Sequence, residues 1–122
     1  MLKVRRTQIE VFSELSCARF EERMLTHLGQ FFPTQCEALG QRQLGEIIQS
    51  GIRSAATYGI VAERDVCLYI DAMILSGRHS SIDHNLPWAQ EILHGVDARG
   101  AGPTAALLYD MAELISHQTQ EH

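Results

Sequence analysis

The densest group of residue types able to do chemistry is the segment Gly77-Arg78-His79-Ser80-Ser81-Ile82-Asp83-His84-Asn85. Two imidazoles with a carboxylate between them are possible ligands for zinc, which takes tetrahedral sets of N, S and O atoms. Their spacing suits a polar loop rather than two rings one turn apart on a helix, and no HExxH or CxxC accompanies them. The expectation is two solvent-facing imidazoles and no metal, with Asp83 forming an Asx turn or helping to cap the next helix. Arg64, Asp65, Tyr69 and Asp71 form a second polar group on one predicted helix. Arg64 and Asp71 are seven apart and on neighbouring faces, and they read as solvated helix-surface charges.

Cys17, Cys36 and Cys67 are too far apart to ligate as a CxxC pair. Their odd number leaves at least one thiol unpaired, which fits a reducing compartment, and each lies in an apolar stretch where free cysteine acts as a small hydrophobe. There is no nucleophile elbow, no glycine loop to cradle phosphate and no carboxylate pair with a reason to be buried. No catalytic residue and no cofactor is therefore expected. The single Trp88, beside Pro87, reads either as a core plug or as an interface anchor, since Trp, Tyr and Arg dominate binding hot spots.

The elements that must position these residues read as helices. Thr7-Gln8-Ile9-Glu10 is a capping box, and apolar residues recur at Ile9, Phe12, Phe20, Met24, Leu28 and Phe31 along a first long helix. Phe32-Pro33 ends it, Pro33 starts a short helix to Leu39, and Gly40 stops that one. A third helix runs from Gln41 to Tyr58, with Leu44, Ile47, Ile48, Ile52, Ala55 and Ala56 on its apolar face and a Schellman end at Gly59-Ile60. Gly45 and Gly51 inside it cost about 1 kcal/mol each against Ala, which suggests close helix–helix approach. Glu63 and Asp65 open a fourth helix carrying Val66, Ile70, Met73 and Ile74, closed by Gly77. Asn85 can cap a short helix through Leu93, residues 95–102 read as a loop, and Gly102-Pro103 opens a last helix ahead of a polar tail from His117. No segment alternates like a half-buried strand. The expectation is an all-α, single-domain bundle of five to six helices over residues 1–122, frayed at 1–6 and 118–122.

Composition agrees with this and narrows the function. The chain has 122 residues, 45% hydrophobic and 20% charged, enough for one core without a disulfide or a structural metal. The net charge of −5 lies entirely in the last third: residues 79–122 hold Arg99 against Asp83, Glu91, Asp97, Asp110, Glu113 and Glu121. Such a balance argues against nucleic acid or anionic lipid as partner, and a charged partner of this end would be basic. No apolar run is long enough for a membrane span and no export signal is seen, so a cytoplasmic protein is expected.

The run Tyr58-Gly59-Ile60-Val61-Ala62-Glu63-Arg64-Asp65-Val66, followed by Tyr69, Met73, Gly77, Asp83, Leu86-Pro87-Trp88-Ala89 and Ile92-Leu93, resembles a family of small bacterial proteins from type VI secretion effector gene clusters. The resemblance covers about residues 40–93, with Ile82-Asp83 standing where the family pattern has an aromatic-Asp pair. It implies a non-catalytic accessory protein, either a co-chaperone of the adaptor chaperone that loads a toxin or an immunity-like partner of the toxin itself. The expected partner surface includes Asp83, Trp88, Glu91 and Asp97, with Arg64 and Tyr69 packing beneath the loop. The alternatives are an immunity protein that blocks a toxin's active site and, from another class, a metal-dependent enzyme using His79, Asp83 and His84.

Overall fold

In the computed structural model, residues 17–77 and 86–120 are described, and among them there are seven helices and no strand. In chain order these are α1 (Cys17–Phe31), α2 (Pro33–Leu39), α3 (Gln41–Ala56), α4 (Glu63–Ser76), α5 (Pro87–His94), α6 (Val96–Arg99) and α7 (Ala101–Gln120). The all-α architecture is as the apolar periodicity requires. The capping box at Thr7 and Asn85 both lie outside the described residues.

Helix α4 is the centre of the bundle. It packs along α7 over its longest interface and against α3 and α1 on its other sides, while α5 and α6 pack on α7. Seven of its residues are buried, Val66, Tyr69, Ile70, Asp71, Ala72, Met73 and Ile74, so it is enclosed almost all round rather than amphipathic. Around it, α1 contributes Phe20, Met24 and Leu28 at helical spacing, α3 contributes Leu44, Ile47, Ile48 and Ala55, and α7 contributes Ala105, Leu108 and Ala112.

Three details differ from the expectation. Phe32, not Phe31, completes the buried stripe of α1: Phe31 is 66% exposed and Phe32 8%. Phe32 leaves the helix at φ −134° and ψ 55°, and its ring returns to the core one step beyond the 20–24–28 row. The segment expected as a loop at 95–102 contains the one-turn helix α6, which brings the count to seven, and α7 opens at Ala101 with Pro103 in its first turn. Helix α5 is capped by Leu86, whose extended backbone precedes Pro87 and supplies no side-chain cap.

Two glycines work as their positions suggested. Gly59, at φ +75°, ends α3 in a Schellman motif: its N–H donates to the Ala56 carbonyl, the Ile60 N–H donates to the Ala55 carbonyl at 3.0 Å, and Ile60 is fully buried. Gly51 is a point of close approach between α3 and α4, since a Cβ there would stand 2.6 Å from Ile70 Cγ1 and 3.1 Å from Met73 Sδ. Gly29, by contrast, is exposed within α1 and a Cβ there would meet nothing within 4 Å.

Opposite effects of the same substitution follow. Gly51→Ala overpacks the crossing at a cost of about 1–3 kcal/mol, which exceeds the roughly 1 kcal/mol gained in helix propensity. Gly29→Ala keeps only the gain. Urea unfolding should show the first variant less stable than the parent and the second more stable by up to about 1 kcal/mol.

Candidate functional site

Helix α4 sets Cys67 and Asp71 one turn apart on the side that meets α1, and α1 places His27 opposite them. His27 Nε2 lies 3.0 Å from Asp71 Oδ1 and 2.9 Å from Oδ2. Cys67 Sγ stands 4.0 Å from Oδ2, so all three side chains converge on one point. Asp71 is buried, and His27 and Cys67 are half-buried. The imidazole is held in turn by Phe31, with ring centroids 4.8 Å apart, and by Phe32 edge-on at 6.5 Å.

Burial governs the proton chemistry here. Removal from water lifts the Asp71 carboxyl from 3.8 to about 6, against the hydrogen bond and charge of His27, which favour the carboxylate. When Asp71 is ionised the ring N–H donates to it; when Asp71 is protonated its O–H donates to the ring nitrogen. Burial, joined by the charge of Asp71, pushes the Cys67 thiol up to about 12. The thiol therefore keeps its proton at neutral pH and is a poor nucleophile. From the α7 side, burial raises Tyr109, followed by Glu113, to which its hydroxyl donates at 3.2 Å, with a smaller contribution from Asp71.

A shallow depression of about 220 Å³ opens beside the cluster. Phe20, Met24, His27 and Cys67 form its apolar side, while the exposed Arg23–Glu63 ion pair and Arg64 line its polar side. A second, larger depression of about 410 Å³ lies between the α3–α4 turn and α5–α6, lined by Tyr58, Leu93, His94, Val96 and Asp97 among others.

The described residues expected at a partner surface are spread over several elements. Asp83, with His79 and His84, lies outside the described residues. Arg64 is exposed at the first turn of α4 and opens onto the smaller depression, whereas Asp97 is exposed at the larger one. Glu91 is exposed on α5, and Trp88 is half-buried with its ring packed against the core, between the two readings the sequence allowed. Tyr69 is fully buried, with its hydroxyl 2.6 Å from Ser54 Oγ. It stands on the face of α4 that meets α3, as a core residue, and the loop beneath which it was expected to pack lies outside the described residues. Asp71, grouped by sequence with solvated helix charges, is likewise buried and paired with His27.

His27 is the residue that sequence reasoning passed over. A signal was present: Asp71 falls in the run Tyr69-Ile70-Asp71-Ala72-Met73-Ile74, apolar on both sides, and a charge so placed calls for a polar partner from a facing helix. Set against protein-family models, curated proteins and solved structures, the chain matches none of them.

The raised Asp71 carboxyl has a measurable sign. The folded chain holds this proton more tightly than the unfolded one, so the group favours folding most below about pH 4 and loses that contribution as pH rises to about 6. Asp71→Asn removes this slope. In chelator-treated protein, the unfolding free energy of Asp71→Asn relative to the parent should move in favour of the variant between pH 4.5 and 6.5. A flat or opposite trend contradicts the assignment.

Proposed function

We propose that this chain is a non-catalytic protein-binding accessory factor that acts in the cytoplasm on the adaptor chaperone of a secreted toxin. The observation that carries the reading is the outward face of α7, where Leu107 and Leu114 are 38% and 53% exposed and two turns apart, with the exposed carboxylate of Asp110 between them. Two exposed leucines in register on one helix form an apolar ridge that a second protein can cover. Exposed carboxylates at Glu91 and Asp97 on α5 and α6, and at Glu113 on α7, extend the acidic character of this end of the chain. The partner that fits is a protein presenting an apolar strip flanked by Lys or Arg.

The resemblance of Leu86-Pro87-Trp88-Ala89 and the Glu63-Arg64-Asp65 run to proteins of type VI secretion clusters supports an adaptor chaperone as that partner. The protonated state of the Cys67 thiol supports a binding role over nucleophilic chemistry at the α1–α4 cluster. The acidic end equally suits an immunity protein that covers a basic toxin site, and a growth assay separates the two readings.

Affinity capture from the native host at moderate salt should recover the adaptor encoded beside this chain, and Leu107→Lys with Leu114→Lys should abolish that recovery while the helical circular dichroism is retained. Protection of cells from the neighbouring toxin by this chain alone, without adaptor binding, favours the immunity reading. Recovery of neither protein contradicts both.

A further inference from the structure

We propose that His27, Cys67 and Asp71 form a site for one zinc ion, with a fourth position open to the depression beside α1. This site is distinct from the His79–His84 segment and independent of the partner-binding surface.

The donor atoms already stand close to where such an ion needs them. Bonds of about 2.0 Å to N or O and 2.3 Å to S, at tetrahedral angles, place ligand atoms about 3.3–3.8 Å from one another. His27 Nε2 and the Asp71 oxygens are 2.9 and 3.0 Å apart, Cys67 Sγ and Asp71 Oδ2 are 4.0 Å apart, and all three donors lie within 4.8 Å of one another. To reach those values the closer His27–Asp71 contact opens by about 0.4 Å and the Cys67–Asp71 contact closes by about 0.5 Å. The elements are rigid ones. Cys67 and Asp71 are four residues apart on the central helix, and the His27 ring is braced by Phe31 and Phe32.

The chemistry of the set selects the ion. A thiolate, an imidazole and a carboxylate form a borderline donor group that suits zinc and excludes magnesium or calcium, which take oxygen ligands. The thiolate and carboxylate together carry two negative charges, which balance the dication in a half-buried setting where an unbalanced charge is costly. As the Zn–S bond forms, the Cys67 S–H proton leaves to the buffer. Of the other side chains that line the depression, Phe20, Met24, Arg23 and Arg64 offer no ligand preferred by zinc and Glu63 is engaged by Arg23, so water takes the fourth position.

Untagged, chelator-treated protein titrated with Co²⁺ tests the site directly, with Zn²⁺ affinity measured by competition against a chromophoric chelator. One equivalent of Co²⁺ should bind with a thiolate-to-cobalt charge-transfer band and intense tetrahedral visible absorption, both displaced by Zn²⁺. Cys67→Ser should lose the charge-transfer band and weaken zinc at least tenfold, and His27→Gln and Asp71→Asn should each weaken it by a similar factor. His79→Ala with His84→Ala should leave band and affinity unchanged. Circular dichroism confirms that each variant is folded, and if Cys67→Ser is not, the parent's charge-transfer band and the His27→Gln titration decide the matter. A folded parent that shows no such band, or a zinc affinity unchanged in Cys67→Ser or His27→Gln, overturns the proposal.

Discussion

Helix α4 is enclosed by α1, α3 and α7, and this enclosure leaves the side chain of its one mid-helix carboxylate only 6% exposed. A buried carboxylate without a partner must either stay charged at a cost or take up a proton, and a penalty of about 1–3 kcal/mol is a large share of a net stability of about 5–15 kcal/mol. His27 resolves the problem by offering a ring nitrogen to both carboxylate oxygens. The pairing ties α1 to α4 in a single register, because sliding either helix by one turn, about 5.4 Å, would separate the two groups. Apolar packing alone is less selective, since Phe20, Met24 and Leu28 would accept neighbouring registers at modest cost.

The remaining packing is arranged around the same helix. Gly51 lets α3 approach Ile70 and Met73, and the Schellman turn at Gly59-Ile60 then reverses the chain into the first turn of α4. On the far side α7 lies along α4 and turns Ala105, Leu108 and Ala112 inward, which leaves Leu107, Asp110 and Leu114 on its outer face. The surface proposed for partner binding is thus the complement of the core pattern. The residues of α7 that α4 does not use are those proposed to meet a partner. No described helix is long and apolar enough to cross a membrane.

The helical architecture was legible because it rests on apolar spacing and on punctuation by Gly and Pro, both local signals. Pro33–Leu39 and the Gly59 end of α3 are read directly from such signals. Helix α6 was not, because Val96–Arg99 is a single turn between two glycines and has no periodicity to detect. Phe31 and Phe32 were exchanged because the helix ends between them, and the backbone angle at Phe32 decides which ring returns to the core. The polar cluster was hardest to see, since His27 and Asp71 are 44 residues apart and neither belongs to a motif. What marks them is a conflict between a charged residue and its apolar surroundings, and only the facing helix shows how it is relieved. Tyr69, read from sequence as packed beneath other elements, is placed in the core by its position between Val66 and Met73 on α4.

The central claim is that His27 and Asp71 act as a coupled pair holding α1 against α4. A double-mutant cycle of His27→Ala and Asp71→Ala, followed by urea unfolding of chelator-treated protein at pH 7, measures that coupling directly. Removing His27 strands a buried carboxylate, so its cost should largely vanish once Asp71 is also gone, giving a coupling energy of about 1–3 kcal/mol. Single effects that add to within about 0.3 kcal/mol would show the two side chains to be independent and contradict the account.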